Sequence, residues 1–259
     1  MRLISDFDPS AAQSLAGVLF DLDDTLLDSG ALGEQAYSSL HRLHEAGLIL
    51  LAVTGRPSGW GEVLAPQWPV AGFVTENGAV AILKREGKLQ IIEEINASDR
   101  VQRRANLMTL VASMKSAFPA LVDATDVAMR RSDFTFDIGE YNHVKDAVVR
   151  DAMCFARAHG ALTVRSSVHL HVTFDGSDKA SGAVRVLHRH FGYDVTDARR
   201  LFAFIGDSEN DESCLAAFQN TVAVANLRGR PSVSPRYITS LPRGSGFAEF
   251  ARRLLELRR

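Results

Sequence analysis

The chain has 259 residues, enough for one large domain together with a second, smaller unit. Apolar residues make up 46% of it and charged residues 23%, a composition typical of soluble globular proteins with a substantial core. Its formal net charge of -2 excludes a strong overall field that would attract nucleic acid or an anionic membrane surface.

The N-terminal segment, residues 1–13, is polar and lacks the apolar stretch of a signal peptide. No apolar run in the sequence approaches the roughly 20 residues that a membrane helix needs. The two cysteines, Cys154 and Cys214, show no CxxC spacing, which argues against a disulfide framework and against a zinc site. We therefore expect a cytoplasmic protein without membrane or nucleic-acid partners.

The first part of the chain alternates between strand and helix patterns. Residues 15–22 and 48–55 are short, nearly continuous apolar runs, which are typical of strands buried on both faces of a sheet. Between them, residues 33–48 carry apolar side chains at helical spacing, with Gly47 as a suitable C-cap. A helix-compatible segment and a third strand, within residues 70–80, continue the alternation. This pattern predicts a parallel sheet with crossover helices.

The middle of the chain has a different pattern, which begins with a hairpin predicted at residues 81–95 around Gly87. The elements predicted after it form an α+β unit: a capped amphipathic helix at 98–118, a strand at 126–138, a helix at 143–160 and a strand or hairpin at 161–174. Alternation of helices and strands returns from residue 178 to the end. We therefore predict a core at residues 1–83 and 173–259, with an α+β insertion at 84–172.

Polar residues follow the buried strands of the predicted core. Asp21 and Asp23 come after the first strand, Thr54 after the second, and Asp207 and Asp211 after the strand at 200–206. Because function collects at the carboxyl ends of parallel strands, these carboxylates are expected to share one edge. Such like charges are costly together unless a cation neutralises them. Oxygen ligands without nearby histidine or cysteine favour Mg²⁺ over Zn²⁺.

Four short motifs occur in the order in which the haloacid dehalogenase superfamily has them, and the sequence resembles that family. The motifs are DLDDTL at 21–26, VTGR at 53–56, Lys179 and GDSEND at 206–211. The resemblance implies an α/β, Rossmann-like core with a parallel sheet flanked by helices. It also implies an α+β cap of type C2 between the second and third motifs, for which the 125 positions from Thr54 to Lys179 leave room. The turn TENGAV at 75–80 favours subfamily IIB, the Cof-type, sucrose-phosphatase-like and mannosyl-3-phosphoglycerate-phosphatase-like proteins.

The resemblance implies a Mg²⁺-dependent phosphatase that acts through an aspartyl-phosphate. Asp21 would attack phosphorus, and Asp23 would protonate the leaving oxygen and later activate water. Thr54 and Lys179 would stabilise the transferred phosphoryl group. The implied metal ligands are Asp21, Asp23 through its backbone carbonyl, Asp207 and Asp211, the last holding metal-bound water or orienting Lys179.

Residues beside these motifs and in the cap are candidates for substrate binding: Arg56, Asn77, Asn210, Arg130 and Arg131. A cap that selects a sugar phosphate needs donors for hydroxyl groups or for a second anion, and the two cap arginines are such donors. Solvated arginines are also common on exposed strand faces. His169 and His171 share a strand face, but without a third ligand they are more typical of a satisfied surface pair than of a metal site.

The expected substrate is a small phosphorylated metabolite of the sucrose-phosphate, trehalose-phosphate or mannosyl-3-phosphoglycerate type. A phosphomutase of the phosphomannomutase type and a non-catalytic binding protein on the same scaffold remain the alternatives. A dehalogenase is disfavoured, because Asp23 would have no proton to deliver and Asp207 no metal to bind. The sequence does not fix the oligomeric state.

Overall fold

Three sheets organise the computed structural model, which describes residues 1–93, 95–166, 168–227 and 231–259. In chain order the strands are β1 (Arg2–Leu3), β2 (Gly17–Phe20), β3 (Leu27–Asp28), β4 (Ala31–Leu32), β5 (Ile49–Val53), β6 (Gly72–Thr75), β7 (Val80–Arg85), β8 (Lys88–Glu93), β9 (Val122–Asp123), β10 (Asp133–Asp137), β11 (Leu162–Arg165), β12 (His169–Thr173), β13 (Phe202–Gly206), β14 (Asn220–Ala223) and β15 (Tyr237–Ile238). The α-helices are α1 (Pro9–Ser14), α2 (Glu34–Glu45), α3 (Ser58–Leu64), α4 (Ala97–Ala117), α5 (Asp146–Ala158), α6 (Lys179–Phe191), α7 (Val195–Arg200), α8 (Glu212–Ala217) and α9 (Arg243–Leu257).

The large sheet has nine strands in the order β1-β15-β14-β13-β2-β5-β6-β7-β8. Pairing is parallel from β1 to β6 and antiparallel for the last two strands. This parallel-dominated α/β architecture confirms the predicted fold class. It also places β2 directly between β13 and β5, so that the polar residues following these three strands are neighbours.

Both faces of the large sheet are covered by helices. Along β2, Val18 and Phe20 pack into one apolar cluster, whereas Leu19 packs into another. The first cluster includes Leu40 of α2 and Phe247 of α9, and the second includes side chains of α6. Because successive side chains of a strand point to opposite faces, this division explains the continuous apolar runs in the sequence.

The predicted hairpin around Gly87 is present, and it extends the large sheet. β7 pairs antiparallel with β6, and β8 pairs with β7 at the sheet edge. The arm Lys88–Glu93, which falls within the predicted insertion at 84–172, therefore hydrogen-bonds to the core sheet. β7 covers the otherwise open edge of the buried strand β6, and the largely exposed β8 forms the new edge. The boundaries of the insertion stay a prediction.

A second, antiparallel sheet in the order β11-β12-β10-β9 has its own apolar cluster. On one face, Phe134, Phe136, Leu170 and Val172 pack against α4 and α5. The other face is polar: Asp133, Thr135, Asp137, His169 and His171 alternate with those apolar residues and are all buried. We call this unit, residues 95–174, the cap. Its histidines are thus buried, and the surface pair predicted from the sequence is wrong, because the polar face packs towards the large sheet.

Several short elements were not predicted from the sequence. They include β1, α1, the two-residue strands β3, β4 and β9, and the helix α7. Each is too short to show a clear periodicity. None of the helices in the described ranges has the length and apolarity needed to cross a membrane.

Candidate active site

The strands β2 and β13 bring the first and last motifs to one edge of the large sheet. Their parallel pairing continues beyond β2, since the backbone N–H of Asp21 donates to the carbonyl of Ile205 at 3.0 Å. Asp21 and Asp207 therefore follow adjacent strands, offset by one residue in the register. The fold therefore brings the acids of the first and last motifs to one edge of the sheet, as the sequence predicts.

Three carboxylates and one ammonium group form the centre of the site. Oxygens of Asp21, Asp207 and Asp211 all lie within 4.8 Å of one another. Lys179, the first residue of α6, places its Nζ 2.7 Å from an oxygen of Asp21 and 2.7 Å from an oxygen of Asp211. Its side chain is 1% exposed. The structure thus brings together the predicted nucleophile Asp21, the motif lysine Lys179, and two of the predicted metal ligands, Asp207 and Asp211.

The charges of this cluster are not balanced. Burial, and then the neighbouring carboxylates, raise the pKa of Asp21 well above its ordinary value, although Lys179 opposes the change. Burial and the adjacent Asp211 raise the pKa of Asp207 to about 7. The pKa of Lys179 is raised because Asp21 and Asp211 outweigh its desolvation. Three buried acids therefore share a single buried lysine.

Asp211 is held by the backbone of the loop that follows β13. Its Oδ2 accepts hydrogen bonds from the N–H groups of Asp207 at 3.0 Å and Ser208 at 3.2 Å. A Cβ atom at Gly206 would collide with the Asp211 carboxylate, so this glycine permits the close approach. The other oxygen of Asp211 is then directed to Lys179.

Asp23 lies at the mouth of the site and is bound by Arg56. The guanidinium donates from Nε to Oδ2 at 2.8 Å and from Nη2 to Oδ1 at 2.9 Å, a bidentate pair. Arg56 also stacks over the Trp60 ring at 4.6 Å and lies 3.5 Å from a carboxylate oxygen of Glu140 in the cap. The side chain of Asp23 remains 39% exposed. Arg56 therefore links the second motif to both Asp23 and the cap.

Thr54 is buried directly below Arg56. Its hydroxyl oxygen accepts from the N–H of Arg56 at 3.1 Å. Within the described chain, no acceptor for the hydroxyl proton of Thr54 lies within hydrogen-bond distance. Thr54 itself is fully buried and is not among the residues that line the cavity described next.

A cavity opens over the acidic cluster between the large sheet and the cap. It is lined by Asp21, Asp23, Asp24, Gly55, Arg56, Ser166, Val168, His169, His171, Asp207, Ser208 and Asn210. The Oδ1 atom of Asn210 is buried and has no hydrogen-bond partner. The structure thus places Arg56 and Asn210, two predicted substrate ligands, in the wall of one cavity with the acids.

Asn77 and the two cap arginines lie elsewhere. Asn77 is buried behind the cavity wall, with its amide nitrogen 3.4 Å from Nδ1 of His171. The Arg130 guanidinium is fully buried: it forms a fork with Asp126, at 3.1 Å for each bond, and donates to the carbonyl of Gly55 at 3.0 Å. Arg131 pairs with Glu62 at 3.3 Å. Neither arginine lines the cavity, because protein carboxylates and a core carbonyl already take up their donors.

Glu76 joins the cap to the core and was not singled out in the sequence. Its carboxylate accepts from the N–H of Ser58 at 3.1 Å and from the consecutive N–H groups of Arg131, Ser132 and Asp133, at 2.6 to 3.2 Å. Glu76 and the next residue, Asn77, both have positive φ angles, 50° and 53°. The turn after β6 is therefore shaped to present this carboxylate to the cap backbone.

The cap side of the cavity also contains residues that sequence reasoning missed. His169 places Nε2 2.9 Å from Glu140, and His171 places Nδ1 2.8 Å from Asp133. Asp137 accepts from four backbone N–H groups of residues 139–142 and so fixes the loop that carries Glu140. The sequence does carry a signal for them: polar and apolar residues alternate in DFTFD at 133–137 and in HLH at 169–171. Alternation of this kind places the acids and the histidines each on one face of their strand.

The donor set fits a divalent cation such as Mg²⁺. Asp21, Asp207 and Asp211 supply only hard carboxylate oxygens, and burial together with the neighbouring carboxylates raises the pKa values of Asp21 and Asp207. A divalent ion held by Asp21 and Asp207 would offset the negative charge of these carboxylates.

The sequence profile of the haloacid dehalogenase-like hydrolases matches residues 18–112, the part of the chain that holds the first two motifs. Together with the fold and the acidic edge, this match assigns residues 18–112 to the haloacid dehalogenase-like hydrolases. This confirms the family resemblance on which the sequence analysis relied.

Relatives of this hydrolase match along nearly the whole chain. A phosphoglycolate phosphatase of Methanospirillum hungatei is 25% identical over 240 residues, which cover 92% of this chain and 96% of the relative. A crystal structure of a Thermoplasma acidophilum protein has a TM-score of 0.75 at 17% identity, covering 94% of this chain and 99% of the other. The sucrose-phosphatase of Synechocystis, solved with sucrose and phosphate, has a TM-score of 0.65 at 15% identity, covering 93% and 98%. The structural matches confirm the fold, and the family with its phosphatase relatives confirms the predicted class, phosphoric monoester hydrolase.

Proposed function

We propose that the protein is a Mg²⁺-dependent phosphatase that hydrolyses a small phosphomonoester through an aspartyl-phosphate on Asp21. The observation that carries the proposal is the buried cluster of Asp21, Lys179, Asp207 and Asp211 beneath a cavity in which Asp23 is also exposed. A carboxylate at the floor of a cavity, neutralised by cations, is positioned for attack on phosphorus. The cap closes the cavity from above and limits the size of the leaving group.

Asp21 is the proposed nucleophile. One of its oxygens accepts from Lys179 at 2.7 Å, which holds the carboxylate and lowers the cost of its ionisation in a buried site. Lys179 also places positive charge beside the position that the transferred phosphoryl group would take. The hydroxyl of Thr54 would donate to an oxygen of that group.

Asp23 is the proposed general acid and base. In the structure its two oxygens are both bound by Arg56, so the pair must open before Asp23 can transfer a proton. A substrate that draws the Arg56 guanidinium to itself would release Asp23 next to the leaving oxygen. Arg56 would thereby couple substrate binding to the availability of the acid.

Mg²⁺ would be held by the carboxylates of Asp21 and Asp207 and by the backbone carbonyl of Asp23, as the family resemblance implies. When bound, it would offset charge on the phosphate and on the attacking carboxylate. Asp211 would act indirectly, because both of its oxygens are engaged by Lys179 and by the loop backbone. Asn210, whose Oδ1 has no hydrogen-bond partner, and Ser208 are further polar residues of this loop that line the cavity.

The proposed substrate is a small metabolite, a sugar phosphate or a glycosylated phosphate. The cavity is lined mainly by polar and charged side chains, which suit the hydroxyl groups and the charge of such a molecule. One relative is named a phosphoglycolate phosphatase, and the sucrose-phosphatase was solved with sucrose and phosphate, which supports a substrate of this size. The cytoplasmic location and the absence of nucleic-acid partners stay predictions from the sequence.

The experiment is a phosphate-release assay on a panel of sugar phosphates and 2-phosphoglycolate, with Mg²⁺ and with EDTA. We expect turnover of at least one phosphomonoester that is lost in EDTA and in Asp21→Asn. Asp197→Asn, the same substitution at an exposed acid paired with Arg200, is the matched control and should retain full activity. No turnover of any phosphomonoester with Mg²⁺ would refute the proposal, and turnover insensitive to EDTA would refute the metal requirement alone.

A further inference from the structure

A histidine in the cavity wall has one nitrogen bonded and the other open. Nδ1 of His171 lies 2.8 Å from Oδ2 of Asp133, and both side chains are only 3% exposed. Although burial raises it, Arg130 and His171 together lower the pKa of Asp133 to about 2. The Asp133 carboxylate is therefore an acceptor only, and Nδ1 must carry the proton. In the described chain no residue hydrogen-bonds to Nε2 of His171.

The orientation of this ring is fixed from behind. Nη1 of Arg130 donates to the two oxygens of Asp133 at 2.9 and 3.1 Å and to the carbonyl of Gly55 at 3.0 Å. A Cβ atom at Gly55 would lie 3.4 Å from Cε1 of His171, so the edge of the ring rests against the loop of the second motif. Arg130 and Asp133 thus act as positioning residues that fix the ring of His171, which lines the cavity together with Gly55 and Arg56.

The open nitrogen is a hydrogen-bond acceptor. Burial lowers the pKa of His171, despite the opposing effect of Asp133, so the ring is neutral near pH 7. With the proton on Nδ1, the neutral ring offers the Nε2 lone pair. The neighbouring His169 differs, because its Nε2 is already paired with Glu140 at 2.9 Å.

We propose that His171 determines substrate specificity by accepting, through Nε2, a hydrogen bond from a hydroxyl group of the leaving alcohol. This inference rests on the proposed phosphatase function and adds the substrate class, phosphomonoesters of hydroxylated alcohols. A leaving group without a hydroxyl leaves the buried acceptor unpaired, which costs affinity in the transition state. A carboxylate in the same place would set acceptor against acceptor.

The test compares glycerol 3-phosphate with propyl phosphate, two probes that differ only in their hydroxyl groups. We expect wild-type kcat/KM to be higher for glycerol 3-phosphate by about tenfold or more, since a lost hydrogen bond of this kind has that effect. In His171→Ala the kcat/KM values for the two probes should become equal, mainly because the value for glycerol 3-phosphate falls. His159→Ala, at an exposed histidine of the same cap, should keep the wild-type ratio. 2-Phosphoglycolate should be a poorer substrate than glycerol 3-phosphate.

A second measurement is independent of turnover. Nitrogen NMR of histidine-labelled protein near pH 7 should show His171 protonated on Nδ1 and unprotonated on Nε2. A protonated Nε2 would overturn the inference, as would equal wild-type rates for the two probes or a His171→Ala variant that loses both rates in proportion. Release of phosphate from neither probe nor any other phosphomonoester would instead overturn the proposed function itself.

Discussion

The acidic cluster predicts an unusual dependence of stability on pH in the absence of metal. Burial and Asp211 raise the pKa of Asp207 from 3.8 to about 7. Between these two values the native state binds a proton that the unfolded state has lost, so the free energy of unfolding falls as the pH rises. One pKa unit corresponds to about 1.4 kcal/mol, so the free energy of unfolding should fall by about 4 kcal/mol between about pH 4 and pH 8.

The assay is urea unfolding in EDTA from pH 5 to pH 8, on wild-type protein and on Asp207→Asn. The amide cannot ionise, so the variant should gain stability relative to wild type as the pH rises, by an amount on the order of several kcal/mol. Glu76, whose pKa is raised by burial, and His171, whose pKa is lowered by burial, titrate in both proteins and cancel in the difference. Mg²⁺ should stabilise the wild type more at pH 8 than at pH 5, because protons compete for the same oxygens.

Asp197→Asn, at an exposed acid, is the matched control and should follow the wild type at every pH. Parallel curves for wild type and Asp207→Asn in EDTA would refute the reasoning, since the buried carboxylate would then carry no ionisation penalty. Equal stabilisation of both proteins by Mg²⁺ would refute the assignment of Asp207 as a metal ligand.

Three further substitutions test other contacts of the site. Lys179→Met should lower the free energy of unfolding at pH 8 by about 3–5 kcal/mol and abolish phosphate release, because it leaves buried carboxylates without their cation; wild-type stability in urea would contradict this. Glu76→Gln should cost about 1–3 kcal/mol and speed hydrogen exchange at residues 131–133, whose N–H groups it binds; unchanged exchange would show that this contact does not hold the cap. Arg56→Lys should lower kcat/KM about tenfold, since lysine cannot bind both oxygens of Asp23, and steady-state kinetics equal to wild type would exclude the coupling proposed for Arg56.

The parts of the site that lie at strand ends could be predicted from the sequence. Asp21 and Asp207 follow apolar runs that must be central strands, and parallel pairing then brings them to one edge regardless of the detail of the loops. Lys179 was predictable only through its family motif. Nothing in a single lysine at a helix start indicates that it will be 1% exposed between two carboxylates.

The contacts between cap and core could not be predicted, because each depends on partners far apart in the chain. Arg130 has the sequence context of a solvated strand residue, and its burial follows from the Gly55 carbonyl and Asp126 meeting it in three dimensions. His171 looked like a surface residue for the same reason. Alternation shows that a strand has a polar face, but whether that face meets water or another sheet is decided by how the two units pack.

The hairpin around Gly87 was predictable from the sequence, but the sheet that it joins was not. Its strands and turn are local features, and the sequence predicts them. Which sheet they join is set by the free edge of β6, a tertiary feature without a local pattern.

The central claim is the covalent intermediate on Asp21, and rapid-quench mass spectrometry of the active-site peptide tests it most directly. With a substrate that turns over and Mg²⁺ present, the peptide that contains Asp21 should gain one phosphoryl group within the first turnover, and the same peptide of Asp21→Asn should gain none. A phosphoryl group on another residue, or hydrolysis by Asp21→Asn at the wild-type rate, would contradict the mechanism.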